Sequence, residues 1–438
     1  MKVIVVGAGL AGCEAALQLA KRDIDVDLYE MRPHKTTGAH STKNLAEFVC
    51  SNSLGSLDVG NASGLLKHEM FLMGSFLIEV AKSVQVPAGN ALAIDRELFS
   101  QKVEELIINS PNINLVREEI ISVPENVPVI LASGPLTSDS LAEDIKKYTG
   151  AQHLHFFDAI APIVEKDSID FDKAFYASRY DKGEASYINC PMNKEEYEKF
   201  YDILINAPRI ELKEFEKNAK FFESCLPIEV LASRGIDTLR YGPMKPVGLV
   251  DKRTGVENYA VVQLRQDNRD ATMYNLVGFQ TNLKWPAQKE LLNSIPGLEN
   301  ANILRYGVMH RNTFINSPEI LDSTLQCRGR KDLFFAGQIT GTEGYTESIA
   351  SGMLAGINMA KYLKGEPLLA LSKLSMLGSL TQYISDSEQK HFQPINSNWG
   401  IVEELIADKK IKKNKKLKNE MLANRSLEYI KSSVIQQI

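Results

Sequence analysis

The chain has 438 residues, of which 44% are hydrophobic and 24% charged, and carries a formal net charge of -5. That length exceeds the roughly 250–300 residues over which one hydrophobic core keeps growing, so two domains or one with a large insertion are expected. The composition excludes a disordered chain, the acidic balance argues against indiscriminate coating of nucleic acid, and no run approaches the roughly 20 apolar residues that span a bilayer.

Met1 to Val6 read as a short β-branched strand rather than a signal peptide, so a cytoplasmic protein with no membrane contact is expected. Gly7-Ala8-Gly9-Leu10-Ala11-Gly12 follows at once, and Cys13 to Lys21 continue with helical periodicity. This is the pattern of a nucleotide-binding βαβ unit. Gly7 permits the tight turn, Gly9 lets backbone approach a pyrophosphate, and Gly12 allows close packing of helix on strand. The helix N-terminus adds a positive dipole and free N–H groups. The second strand, Val26 to Tyr29, ends in Glu30, where an acid accepts hydrogen bonds from ribose hydroxyls and disfavours a 2'-phosphate.

Met31-Arg32-Pro33 ends that strand, and the polar stretch through Lys43 reads as a loop able to wrap a cofactor. Helical periodicity spans Gly64 to Val84 and Arg96 to Ile108, with short strands around Leu115 and Ile121. Pro128 opens a buried strand from Val129 that runs into a turn at Gly134-Pro135, with a helix from Ser138 to Tyr148 behind it. Gly134 therefore points at the same sheet edge as the first glycine turn. From about His153 the texture changes to short β-rich runs with Phe156-Phe157, Tyr176 and Tyr187, ending near Tyr274 to Phe279, after which Trp285-Pro286 opens a helix. Leu333 to Gln338 is a further buried strand stopping at Gly337, followed by a helix from Thr346 to Leu363 with small residues, Gly352 among them, on one face.

The fold class expected is α/β: a Rossmann-type nucleotide-binding domain in two parts, residues 1–150 and 286–375, around an inserted α+β domain at 151–285. Residues 376–438 form a C-terminal helical segment with a lysine-rich tail. The run Lys409 to Lys418 reads as solvated surface, with RNA phosphates as the alternative partner.

Five scattered cysteines (Cys13, Cys50, Cys190, Cys225 and Cys327) include no C-x-x-C pair, so neither a disulfide framework nor a zinc site is expected and the thiols are read as reduced. His153-Leu154-His155 sets two imidazoles on one side of an extended segment, but no third ligand follows nearby and no metal is expected.

The N-terminal fingerprint with a late strand-Ala-Gly-helix resembles FAD-containing two-domain flavoproteins more than NAD dehydrogenases. In those flavoproteins the late glycine sets backbone N–H groups against the ribityl and pyrophosphate portion. Many carry Asp after it; here Gln338 follows, which points towards the RNA-modifying branch, where Ala-Gly-Gln-Ile is found.

Longer segments narrow the resemblance. These are Glu47 to Gly55 around Cys50, Glu223 to Glu229 around Cys225, Asp237 to Leu249, Arg305 to Phe314, and Ala336 to Tyr345. Together, from Val3 to about Asn398, they resemble the FAD- and folate-dependent tRNA uracil-5-methyltransferases, the TrmFO family. The resemblance implies bound FAD, with Gly7, Ala8, Gly9, Leu10, Ala11, Gly12, Glu30, Gly134, Gly337, Gln338 and Gly352 as cofactor-binding candidates.

It also makes chemical sense of two cysteines. Uracil C5 is too weak a nucleophile to take a one-carbon unit unaided, so a thiolate must first add at C6. By resemblance Cys225 is the C6 nucleophile, and Cys50 sits near the isoalloxazine, removing the C5 proton or protecting the flavin-bound methylene. The alternative for each is a buried structural thiol, the reading given to Cys13, Cys190 and Cys327. Methylenetetrahydrofolate is the implied one-carbon donor, and NADH or NADPH the implied reductant. Nicotinamide binding would be transient, because no second complete G-x-G-x-x-G is present.

Arg240, Lys245, Arg265, Arg305, His310 and Arg311 are candidates for RNA phosphate or the folate glutamate tail, against ordinary solvation or ion pairing. Tyr345 and Trp285 could stack on folate or a flipped base, although a place in the core is the expectation for both. The implied activity is methylation of uridine C5 in the tRNA T-loop, with no obligatory protein partner. A paralogue acting on 23S ribosomal RNA is an alternative, as is an MnmG-like wobble-uridine flavoprotein working with a GTPase.

Overall fold

The computed structural model describes the chain except Met1, Gly38, residues 151–153, 182–183, 211–225, 257, 390–391, 409–410 and 412, and the side chains of residues 154–159 and 310–311. A six-stranded sheet takes its strands in the order 326–327, 330–335, 129–131, 2–6, 25–29, 113–116. Four of its five pairings are parallel, with Val3 beside Val26, Val5 beside Ile130, Phe334 beside Ile130 and Leu28 beside Leu115. Val3, Val5, Val129, Ile130 and Leu131 are fully buried, as central parallel strands covered on both faces require. Against this sheet lie the helices Leu10–Ala20 and Tyr345–Leu363. They cross closely because Gly352 and Gly356 face the first helix: a Cβ at Gly352 would stand 2.2 Å from Ala11 O, and one at Gly356 2.7 Å from Ala15 O.

The helix Arg96–Ile108 has the bounds expected of it. The single run expected over 64–84 is instead two helices, Ala62–Leu72 and Phe76–Ser83. Gly74 breaks it at φ +80°, and Ser75 then caps the second helix by accepting from Ile78 N. No strand forms at Ile121, where the loop is held by Val123 N donating to Asp144. A small antiparallel sheet of 53–56, 91–94 and 85–86, absent from the expectation, backs the Cys50 segment.

A second six-stranded sheet, in the order 175–177, 187–192, 260–266, 273–276, 163–165, 303–305, is antiparallel throughout. Its own core draws on Val164, Ile188, Phe200, Leu264, Leu291 and Ile295. The helix Trp285–Asn293 and the strand Ile303–Arg305 pack here, not with the nucleotide-binding sheet that the sequence leads one to expect for 286–375. Periodicity shows that a helix has an apolar face but not which sheet that face covers. The strands 154–159 and 309–314, paired antiparallel, carry the chain between the two cores.

The C-terminal segment is fastened from below by Glu69. This buried carboxylate accepts from Met376 N at 2.7 Å and Leu377 N at 2.9 Å, at the start of the helix Met376–Ile384, and from the Ser426 hydroxyl. Burial pushes its carboxyl up to about 7, against those three hydrogen bonds. The folded chain therefore holds a proton that the unfolded chain has released, and stability falls as pH rises from about 4.5 to about 7. At about 1.4 kcal/mol per pH unit, Glu69 alone accounts for a loss of about 3 kcal/mol. Chemical denaturation across that window should show the slope, and Glu69→Gln should flatten it; an unchanged slope would assign the effect elsewhere.

Among the described residues, no helix is long and apolar enough to cross a membrane. In the lysine-rich run, Lys413, Lys415 and Lys416 are exposed.

Candidate cofactor and substrate site

The first glycine turn has the geometry its sequence requires. Gly7 sits at φ +97°, and a Cβ there would lie 2.6 Å from Ala132 O. A Cβ at Gly12 would lie 1.8 Å from Gly7 O, so the helix meets the turn at a distance no other residue allows. Gly9 differs: nothing stands within 4 Å of where its Cβ would be. The helix beginning at Leu10 has no side-chain cap, which leaves its first-turn N–H groups for an anion beside that opening.

Glu30 closes the far end. Burial alone would raise its carboxyl, but the Arg32 guanidinium outweighs that and brings it below the usual carboxylate range. Arg32 donates from Nε to Oε1 at 2.9 Å and from Nη2 to Oε2 at 3.2 Å, while Ala8 N donates to Oε2 at 3.2 Å. The result is an ionised carboxylate at the end of the second strand, the state that acceptance from a ribose hydroxyl would require. Arg32, only 2% exposed, also reaches Glu47 at 2.9 Å. In the sequence Arg32 reads only as part of a strand terminator, because nothing in Met31-Arg32-Pro33 shows that Glu47, across the intervening loop, joins the neighbouring Glu30 on one guanidinium.

Gly7, Gly9, Glu30, Gly134, Gly337, Gln338 and Tyr345 line one cleft. Gly134, at φ +71°, also has nothing within 4 Å of its Cβ position. Two open glycines, an uncapped helix N-terminus and an ionised acid fit a dinucleotide such as FAD. Two candidates act differently from expectation. The Gly337 N–H is already donated to Ser351 Oγ at 2.8 Å, so that glycine offers close approach, not a donor. Gly352 lies behind the turn, where it sets the helix crossing and does not line the cleft.

The cleft shares Val49, Pro135, Gln338 and Tyr345 with a second cavity, whose walls include Cys50, Asn312, Glu343 and Ser397. Cys50, partly exposed, stands at this junction. Its Sγ is 3.0 Å from the Tyr345 hydroxyl, which also accepts from Cys50 N at 2.7 Å. Burial, reinforced by the nearby thiol, pushes the Tyr345 phenol well above its ordinary value, so it stays a neutral partner. Phe48 packs on the Tyr345 ring at 4.3 Å.

The second sheet grips the same loop. Arg265 donates from Nε to Asn52 Oδ1 at 3.0 Å and from Nη2 to Ser51 Oγ at 2.8 Å, while Asn52 Nδ2 donates to Ile94 O and Gln266 O. Arg96 adds a bridge from Phe48 O to Asp267. Arg265 is thus committed to positioning the Cys50 loop, not to RNA phosphate.

The other candidates are dispersed. The Arg240 guanidinium lies 3.4 Å from the Tyr259 ring centroid and donates to Asp237 and Tyr259 O, a structural arrangement. Arg305 donates to Ala39 O at 3.1 Å, and Lys245 is half-buried. His310 and Arg311 lie on the strand Met309–Phe314, their side chains outside the description. Cys225 lies outside the described residues, just before the helix Ile228–Ala232. Burial pushes the Cys13 and Cys190 thiols up, which leaves them inert, and Cys327 is buried too. Trp285 is 57% exposed and stacked on Tyr306 at 5.2 Å, so its expected place in the core is overturned; it opens its helix at the surface. Among the described residues no group of three His, Cys, Asp or Glu could hold a metal; His153 and the His155 side chain lie outside them.

The family model described as glucose inhibited division protein A matches residues 2–367. A methylenetetrahydrofolate–tRNA-(uracil-5-)-methyltransferase TrmFO of Anoxybacillus flavithermus is 57% identical over 435 residues, covering 99% of both chains. Its counterpart from Bacillus velezensis is 56% identical over 430 residues, covering 98% of both. Among solved structures, GidA of Aquifex aeolicus superposes with a TM-score of 0.70 at 17% identity, over all of this chain and 74% of that one, a likeness of fold. On the relatives' identity and coverage, the chain belongs to the TrmFO family of methylenetetrahydrofolate–tRNA-(uracil-5-)-methyltransferases, within the wider family of glucose inhibited division protein A.

Proposed function

We propose that this protein methylates C5 of a uridine in the T-loop of tRNA in the cytoplasm, using methylenetetrahydrofolate as one-carbon donor, bound FAD and NADH or NADPH. The observation that carries this reading is the placement of Cys50 where the dinucleotide cleft opens into a second cavity, on a loop held by Tyr345 and Arg265. The glycine turn and Glu30 would hold the adenosine diphosphate portion, leaving the isoalloxazine towards Gln338, Tyr345 and Cys50. FAD supplies the reducing equivalents and the route by which the one-carbon unit reaches the base. The chain's own groups do the rest: the Cys225 thiolate adds to C6 and drives electron density to C5, and Cys50 takes the C5 proton after the new bond forms. Loss of that proton lets the one-carbon unit part from its carrier as an exocyclic methylene on C5; a hydride reduces it to methyl, and elimination of the Cys225 thiolate from C6 then restores the ring. The target uridine must leave its stack to reach the cavity, and the exposed Trp285, stacked on the half-buried Tyr306, offers a platform for a neighbouring base.

The test offers labelled methylenetetrahydrofolate, FAD and reduced nicotinamide nucleotide to the enzyme, with an unmodified tRNA and a large-subunit ribosomal RNA fragment side by side. Label mapping to the tRNA T-loop is expected. Label in the ribosomal fragment alone would change the substrate, and label in neither, from folded yellow protein, would remove the methyltransferase reading.

A further inference from the structure

Asn312 is wholly buried on the strand Met309–Phe314, and among the described residues neither its amide nitrogen nor its amide oxygen has a hydrogen-bond partner. The strand is not free to shift so as to satisfy them: Thr313 N donates to Pro135 O at 2.8 Å, and Ile315 N donates to Ile339 O at 2.8 Å. Asn312 forms part of the wall of the cavity that also holds Cys50, Gln338 and Tyr345. Buried polar groups are nearly always bonded, and each left unmade is a substantial loss of stability. An apolar side chain of the same size would avoid that loss, so the amide answers to something that fills the cavity.

A primary amide presents a donor and an acceptor side by side in one plane. Phosphate or carboxylate would satisfy the donor alone and leave the carbonyl unpaired. An N–H beside a C=O satisfies both, in a cyclic pair of hydrogen bonds like that formed by Asn on the edge of a base. Uracil, the pterin of folate and the pyrimidine ring of a flavin each carry such a lactam edge. We infer that Asn312 is a specificity residue that reads the lactam edge of a planar heterocycle seated beside Cys50. The inference rests on the function proposed above.

Asn312→Leu is of similar size and removes both orphaned groups. The apoprotein variant should melt no lower than wild type, while affinity for one lactam ligand falls at least tenfold. Three titrations identify which: FAD into apoprotein, tetrahydrofolate into the FAD-bound protein, and unmodified tRNA into the FAD-bound protein. Asn312→Asp keeps the shape, loses the donor and should weaken the same ligand. Should the leucine variant fail to fold, the aspartate variant decides. Unchanged affinity for all three ligands in a folded variant overturns the inference. Wild-type protein that binds none of the three would instead overturn the proposed function.

Discussion

Gly12→Ala is expected to give a colourless protein with no methyl-transfer activity. The added Cβ would stand 1.8 Å from Gly7 O, well inside any contact that carbon and oxygen tolerate. Gly7 cannot withdraw, because it already sits at φ +97° with Ala132 and Ser133 against its other side. The helix Leu10–Ala20 must then move off the sheet, and it cannot move alone, since Gly352 and Gly356 hold it against the helix Tyr345–Leu363. Overpacking of this kind costs about 1–3 kcal/mol, and the shift carries the first-turn N–H groups away from the pyrophosphate. Gly9→Ala provides the contrast, because its Cβ meets nothing within 4 Å in the protein. That variant should fold with wild-type stability and lose FAD affinity only because the methyl enters the ligand's space. Flavin absorbance after reconstitution, read beside a melting curve, distinguishes the two; a yellow, active Gly12→Ala enzyme would contradict the assignment of the turn.

Cys225→Ala and Cys50→Ala should each remove methyl transfer while the protein stays yellow, and they should fail at different steps. Loss of a positioned general base alone lowers rate by about 10²–10⁴, and loss of the nucleophile removes the route altogether. Cys50→Ala should spare the architecture, because the 2.7 Å bond holding the loop to Tyr345 comes from the Cys50 backbone N–H and the Arg265 contacts fall on Ser51 and Asn52. An RNA with 5-fluorouridine at the target separates the roles, since C5 then carries no proton to remove. The Cys50→Ala enzyme should still form a covalent complex with that RNA through C6, and the Cys225→Ala enzyme should not. A covalent complex from Cys225→Ala would exclude it as the nucleophile.

What could be read from the chain alone follows the range of the forces involved. The glycine turn, Glu30 and the helix Arg96–Ile108 are short-range features, and they stand where periodicity and glycine chemistry put them. The break at Gly74 was missed because apolar spacing carries on across it, and only the φ of +80° reveals the turn. Arg32, Arg265 and Asn312 were beyond reach for a common reason. Each takes its meaning from contacts that periodicity does not reveal: Glu47 across a loop for Arg32, Asn52 across more than two hundred residues for Arg265, and a cavity assembled from several segments for Asn312. A lone arginine in sequence carries no sign of whether it will face phosphate or disappear into a loop anchor.

The order of strands in the parallel sheet also sets a timetable for synthesis. The strand 129–131 lies between 2–6 and 330–335, so one of its edges waits for a partner about 200 residues downstream. At 5–20 residues per second, the ribosome leaves that apolar edge unpaired for roughly 10–40 seconds. The second sheet, contained almost wholly within that interval, has every strand it needs before the first sheet is complete. The nascent chain can therefore complete its inner module first and close the cofactor-binding sheet last, with that apolar edge exposed in between.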